Sequence, residues 1–410
     1  FSYFNIKVFA GSIRLYSFFK RLLTFAVGHA DIPIIEGYLR ASLGEEGSTE
    51  GRKEDATSES LSMGFMLSLR SSISDLRTIS LMIKGLMELD HDVTVYVSDH
   101  DDKNKLELIK NNKVKLCLVD NAKEIPEQAD IPDIIVFTDA RQLKYTADFT
   151  FPLAFWELGE VYMYGDYGFP FFANDTFRDD HKQLFSRPDI IFTVSDSMIE
   201  RFSAYYDRKA FYVPKPVEIT DTTRSESNDV VILVEGDSQQ PRGGVGLAFR
   251  ALLRANEMGA NFSVTWITNG EPANLVTPFP LSIVSSSEKK SLGDSVFANA
   301  DIFLCVSLYD AFPIDALEAM AAGTAVISVD NDGINMFGKP GENCLICEPS
   351  DIDGMGAAIA YLASNPQARI VLANESRKMA GKFKYKHVAK VMANQLMDVV
   401  GTRKERAIHA

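Results

Sequence analysis

The sequence predicts an α/β protein built from two doubly wound parallel sheets, one following the other along the chain. Three observations predict it. Short apolar or β-branched runs alternate with amphipathic stretches, as in a parallel sheet covered by helices on both faces. The pattern restarts after VPKPVEI at 213–219. The 410 residues suffice for about two domains at roughly 100–200 residues each. Composition narrows the class further. Hydrophobic residues make up 46% and charged residues 24%, which excludes a wholly disordered or fibrous chain. A net charge of −14, from 42 basic and 56 acidic residues, argues against nucleic acid as a partner. Four cysteines cannot make a disulfide scaffold and fit a reducing compartment. No apolar run is long enough to span a bilayer.

The first segment, 1–60, stands apart. Residues 1–29 carry Lys7, Arg14, Lys20 and Arg21 and no acid. At helical spacing Leu15, Phe18, Phe19, Leu22, Phe25 and Ala26 share one face, with Arg14, Ser17, Arg21 and Thr24 opposite. That is a basic amphipathic helix of the kind that lies in a membrane interface. A helix packed on the protein body and a cleavable signal peptide are the alternatives. Residues 44–60, rich in acids, glycine and Ser/Thr, read as a solvated linker.

The body is expected to begin near Leu61 with the strand LSMGFMLSL. A helix capped by Ser74 or Asp75 follows, its apolar positions Ile79, Met82, Ile83, Leu86 and Met87 spaced by three and four. HDVTVYVSD, VKLCLVD (114–120), DIIVFTD (133–139) and DIIFTVSD (189–196) read as further strands. After the restart, VVILVEG (230–236) is a strand and 247–259 a helix closed by Gly259. Strands are expected at FSVTWITNG (262–270), LSIVSS (281–286), DIFLCVS (301–307) and TAVISVD (324–330), and a last helix at about 384–400. The expected domains are therefore 61–214 and 215–383, with 384–410 a helix crossing back to the first. Ligands of such sheets lie at the carboxyl ends of the strands, here in a cleft between the halves.

The segment richest in chemistry is SLYDAFPIDALEAMAAGTAVISVD at 307–330. Asp310 and Glu318 stand eight apart in a strand–loop–helix context. Backbone N–H groups at a helix start near Ile314 or Asp315 suit a phosphate or diphosphate. Glu318, one turn into the helix, can accept bonds from two sugar hydroxyls. Gly323 then ends the helix.

This segment resembles the retaining, GT-B fold nucleotide-sugar glycosyltransferases of family four, the glycosyl transferases group 1. Their pattern reads E-G-F-G-L-x-x-L-E-A-M-A-x-G-x-P-V, and DAFPIDALEAMAAGTAV follows it with Asp310 at the first acid. MELDHDVTVYV resembles the family's L-x-x-x-G-H-x-V-x-V segment, which makes His91 structural. DIIFTVSDSMIERF resembles its strand ending in Ser-Glu before a helix. VPKPVEI resembles the I-P-N-G-V-D hinge, and residues 331–366 its glycine-rich loop, strand and helix. The resemblance implies two Rossmann-like domains facing a cleft. It also implies that Asp310 contacts the donor sugar, that Glu318 binds the nucleotide ribose, and that the backbone of Phe312, Pro313 and Ile314 lies beside sugar and diphosphate. Pro313 offers no N–H.

Departures from the pattern are specific. Where the family has Gly-Arg after the first strand of the second domain, this chain has Gly236-Asp237. Where it has Lys-Gly, the chain has Arg242-Gly243, and Arg242 can supply the cation that meets the diphosphate charge. Lys289, Lys290 or Arg70 could add a second. SSISDLR (71–77) replaces a glycine pair in the first domain, and Trp156-Glu157 stands where a His is often found. The aromatic-rich stretch 155–172, with Trp156, Glu157 and Tyr162, is the expected acceptor site, because sugars stack on aromatic faces. Cys344 and Cys347 read as packing residues. RGGVG (242–246) lacks the dinucleotide spacing and suits a diphosphate. Asp166, Asp175, Asp179 and Asp180 read as a solvated acidic face, so no metal is expected.

The expected activity is a retaining glycosyl transfer, of hexosyl or deoxyhexosyl type, from a nucleotide-diphosphate sugar to a glycan or lipid-linked acceptor in surface polysaccharide or glycoconjugate synthesis. The donor is a substrate, and no cofactor is expected. The expected setting is cytoplasmic, with attachment to the inner face of the membrane through residues 1–29 and assembly into a homo- or hetero-oligomer both left open. Two alternatives stay open. One is a catalytically inactive paralogue that binds glycan or stabilises an active partner. The other is a different GT-B activity, such as an epimerase, which would consume donor without acceptor.

Overall fold

A computed structural model describes residues 60–408 except 111–113, 129, 160–174, 220–228, 239, 269–274 and 286–294. The segment 1–29, all of the linker but Ser60, Tyr162, Asp166, Lys289 and Lys290 lie outside the described residues. The first half holds β1 (Ser62–Ser68), α1 (Ile73–Met87), β2 (Asp92–Ser98), α2 (Lys103–Lys110), β3 (Lys115–Leu118), β4 (Ile134–Phe137), β5 (Leu153–Glu157), α3 (Asp175–Phe185), β6 (Ile190–Thr193), α4 (Asp196–Tyr206) and β7 (Phe211–Tyr212). These strands make one parallel seven-stranded sheet in the order β3-β2-β1-β4-β5-β6-β7.

The second half holds β8 (Val231–Glu235), α5 (Val245–Glu257), β9 (Ser263–Thr268), β10 (Leu281–Ser285), α6 (Ser295–Ala298), β11 (Ile302–Cys305), α7 (Ile314–Ala321), β12 (Ala325–Val329), β13 (Leu345–Cys347), α8 (Ile352–Ser364) and α9 (Pro366–Ala380). Its six parallel strands run β10-β9-β8-β11-β12-β13. Both sheets reverse strand order beside their first strand, between β1 and β4 and between β8 and β11, which opens a crevice at the carboxyl ends there.

The central strands are largely apolar because helices cover both faces. Residues 63–68 of β1 and all of β4, β5, β11 and β12 are buried. Strands β5 and β7 carry no expectation from sequence. LAFWE is short and sits against an aromatic-rich stretch, so its extended register emerges only through pairing with β4 and β6. The start of α1 differs from the expected one. Ser72 is the cap: its Oγ accepts the Asp75 N–H at 3.0 Å and donates to Asp75 Oδ2 at 2.6 Å. The last helix, α10 (Tyr385–Ile408), runs eight residues past the expected end.

Two chain passages join the halves and lie side by side. Val217 N–H donates to Phe383 O at 2.9 Å, and Tyr385 N–H to Val217 O at 3.1 Å. α10 then rests on the first half. Lys84 of α1 sits 4.5 Å over the Tyr385 ring, the Tyr385 hydroxyl donates to Glu88 at 3.0 Å, and Arg403 donates to Thr150 O at 2.8 Å. Phe312, Phe337 and Phe383 form an aromatic trio with centroids 5.2–6.0 Å apart, packing α7's approach loop onto the second passage. His91 is buried, its Nδ1 accepting the Leu61 N–H at 3.2 Å, a structural role. Cys344 and Cys347 are buried free thiols pushed up to about 12 by burial. Among the described residues no helix is long and apolar enough to cross a membrane, and no cluster of His, Cys, Asp and Glu could hold a metal ion.

Candidate active site

The strongest arrangement lies at the carboxyl ends of β8, β11 and β12. α7 begins after Pro313, whose carbonyl accepts the N–H groups of Ala316 and Leu317. Ile314 and Asp315, in the first turn, have no carbonyl four residues back within the helix, so their N–H groups face the approach to it. The helix closes on Gly323 (φ 78°): Gly323 N–H donates to Met320 O and Thr324 N–H to Ala319 O, a Schellman motif. Glu318 is half-buried, one turn in.

Asp310 is held from three directions. Its N–H donates to Asn331 O at 3.1 Å, its carbonyl accepts the Gly333 N–H at 2.9 Å, and its Oδ1 accepts the Phe312 N–H at 3.0 Å. Burial pushes its carboxyl above the usual range, while Lys215, the Phe312 N–H and Arg242 pull the other way. The Phe312 ring is part of the aromatic trio, so only its backbone faces the site, and that N–H is taken by Asp310.

Arg242 lies in a one-turn 3-10 helix between β8 and α5. Its carbonyl accepts the Leu308 N–H at 2.9 Å, tying this loop to the one that carries Asp310. Gly236 and Gly243 bracket the loop. Gly244 is the residue it demands: it caps α5 with φ 66°, and a Cβ there would run into the Val306 carbonyl.

The first half contributes differently from expectation. Trp156 is wholly buried, and its Nε1–H donates to Val213 O at 3.1 Å. It offers no face to a sugar; it is a core anchor between β5 and the crossover. Glu157 is also buried, its carboxylate accepting the Gly159 N–H at 3.1 and 3.2 Å. A Cβ on Gly159 would lie 2.8 Å from Ala311 Cβ, so the two halves touch here. Arg70 pairs with Asp99 at 2.9 Å.

Lys215 gives no signal in the sequence, where a lysine between prolines reads as solvated. The structure buries it, with 7% of its surface exposed. Its Nζ lies 3.1 Å from Asp75 Oδ1. Burial pulls its pKa down, but Asp75, Asp310 and Glu157 more than reverse that and leave it above the ordinary value. Lys215 and Pro216 stand where the resembled hinge has Asn and Gly.

Residues 285–382 match the family model of glycosyl transferases group 1. That stretch holds Asp310, Glu318 and Gly323. An MMP alpha-(1->4)-mannosyltransferase of Mycolicibacterium hassiacum is 29% identical over 126 residues, 30% of this chain and 31% of that one. A D-inositol 3-phosphate glycosyltransferase of Rhodococcus opacus is 29% identical over 94 residues, 23% of this chain and 21% of that one. The chain thus spans less than a third of the length of these curated relatives. Solved structures share the architecture more widely. A glycosyltransferase from Rickettsia africae superposes with a TM-score of 0.67 at 12% identity, covering 83% of this chain and 99% of that one. Anabaena HepE in complex with UDP-glucose gives 0.67 at 14% identity, covering 82% and 100%. The fold is GT-B, and the group 1 glycosyltransferase resemblance extends from the motif to the architecture.

Proposed function

We propose that this chain is a glycosyltransferase that moves a sugar from a nucleoside-diphosphate sugar to a hydroxyl-bearing acceptor, with retention of configuration. The observation that carries the reading is Asp310 and Glu318 flanking the start of α7 at the strand-order reversal, with Arg242 on the adjoining loop. In this reading Glu318 accepts bonds from the ribose hydroxyls and Asp310 from the sugar. The N–H groups of Ile314 and Asp315, with Arg242 and the backbone of Gly236 and Gly243, meet the diphosphate. As the C1–O bond to the diphosphate breaks, negative charge grows on the leaving group, and these fixed donors stabilise it. The acceptor oxygen forms its bond to C1 on the face the diphosphate leaves, and the acceptor's proton departs with the nucleoside diphosphate. The donor is the only small molecule the reading needs, with no resident cofactor. The acceptor we propose is a glycan or lipid-linked sugar, with residues 1–29 holding the protein at the inner face of a membrane.

Release of nucleoside diphosphate from a panel of UDP-, GDP-, ADP- and dTDP-sugars and of the monophosphate from CMP-sugars tests the reading. One base should support turnover, and Glu318→Ala should lower it about 100-fold, the worth of a charge-assisted bond or two. Asp237, where the resembled family has Arg, favours a second reading as a non-catalytic partner. Donor binding without release by the folded protein would support that one.

A further inference from the structure

We propose that the lysines at the start of α10 form a docking surface for an anionic lipid bilayer. The inference extends the membrane placement above to a second contact, and its test needs no catalysis. Residues 376–397 carry Arg377, Lys378, Lys382, Lys384, Lys386 and Lys390 and no acid, in a chain of net charge −14. Lys378 pairs with Glu375 at 2.6 Å. Lys382, Lys384, Lys386 and Lys390 are exposed, and among the described residues none of the four has a side-chain partner. The nearby carboxylates are engaged, Glu218 with Lys84 at 2.7 Å and Glu88 with the Tyr385 hydroxyl at 3.0 Å.

The placement runs against local preference. A helix start favours acids, and α10 has none in its first turn. Lys386 and Lys390 stand one turn apart and repel each other, while Val388 and Met392 on the opposite face are buried. Charges that cost the fold and find no partner within it are placed for a partner outside it. The patch runs over a one-turn 3-10 helix (Gly381–Phe383), the second passage and the start of α10. It offers no aromatic face for a base: Phe383 is buried, and the Tyr385 ring lies under Lys84. A bilayer needs only cations clustered on one surface, and four suffice to read its charge. Position fits as well. Between Lys382 and Lys384, Phe383 packs 5.9 Å from the Phe312 ring, two residues from Asp310. A bilayer on the patch therefore lies close to the donor loop, where a lipid-linked acceptor is needed.

Co-sedimentation of the full chain with mixed phosphatidylglycerol–phosphatidylcholine vesicles, and with phosphatidylcholine alone, tests the inference. Wild type should bind the mixed vesicles, less so as salt is added, and the neutral ones far more weakly. Lys382→Gln/Lys384→Gln/Lys386→Gln/Lys390→Gln should weaken binding about 100-fold and melt at or slightly above wild type, since four repelling charges have gone. The same four positions changed to Arg should bind as wild type does. Lys103→Gln/Lys110→Gln/Lys123→Gln/Lys182→Gln removes equal charge elsewhere and should weaken binding less than about threefold. If the patch variant does not fold, Lys386→Gln/Lys390→Gln should still weaken binding about tenfold.

No binding by wild type, equal binding to neutral vesicles, or equal loss in the two four-lysine variants overturns the inference. Undiminished binding by the patch variant also overturns it and places the contact elsewhere, residues 1–29 included. Tighter binding of a single-stranded RNA than of the vesicles, lost in the same variant, overturns it in favour of nucleic acid. Nucleotide-sugar binding without vesicles should be equal in wild type and the patch variant. A chain that docks through the patch yet binds no nucleotide sugar overturns the donor reading and leaves this one standing.

Discussion

At the carboxyl edge of the second sheet, Asp310, Arg242 and Glu318 surround a helix start on loops whose backbone is fixed by Asn331, Gly333 and Leu308. At the matching edge of the first sheet, Trp156 and Glu157 are sealed inside, one bonded to the crossover and the other to its own turn. Both edges hold residues that sequence alone marks as binding residues. Only the second keeps them at the cleft. The difference follows from where the chain turns. In the second half a helix begins at the strand end and carries its acid outward. In the first, a strand of five buried residues ends against the other half, where Gly159 meets Ala311. A residue type suited to sugar becomes a binding residue only if the backbone leaves it uncovered.

Substitutions that separate the two edges sharpen this contrast. Trp156→Ala should have the largest effect, a loss of about 3–5 kcal/mol of stability from the emptied core, with donor affinity in the surviving folded fraction unchanged. Denaturant melts and a donor titration measure both. Glu318→Ala should do the reverse, costing about 2–3 kcal/mol of donor binding and leaving the melting midpoint nearly in place. Gly244→Ala should destabilise by about 2 kcal/mol and weaken donor binding together, because the left-handed cap and the Val306 contact hold the Arg242 loop. A change in only one of the two would separate that loop from the site.

The smallest effect concerns His91. Burial holds its imidazole below the ordinary value. The unfolded chain therefore takes up the proton first, and the stabilisation is present above about pH 6.5 and lost as pH falls below it. His91→Asn keeps an acceptor for the Leu61 N–H, so its melting temperature should fall less steeply from pH 7 to 5 than that of wild type.

Much of this molecule is legible in sequence where the physics is local. Apolar runs such as LSMGFMLSL, the helix spacing from Ile79 to Leu86 and the glycine at 323 each carry their own cause. So does the motif around Asp310 and Glu318, since strand, loop, helix start and both acids lie within one stretch of chain. What was hidden depends on distant segments meeting. LAFWE is a strand because β4 and β6 flank it, and Trp156 is core because Val213 returns beside it. Lys215 is buried because the crossover returns it beside Asp75 of α1, 140 residues away in the chain.

The most direct test of the central claim is a thermal-shift titration of the whole chain with UDP-, GDP-, ADP-, CMP- and dTDP-sugars, beside Glu318→Ala. A ligand at 100 times its dissociation constant adds about 2.7 kcal/mol to folding, enough to raise the melting temperature measurably. The account predicts a rise with the sugars of one base, absent in Glu318→Ala. No rise with any base, or an equal rise in the variant, would contradict it.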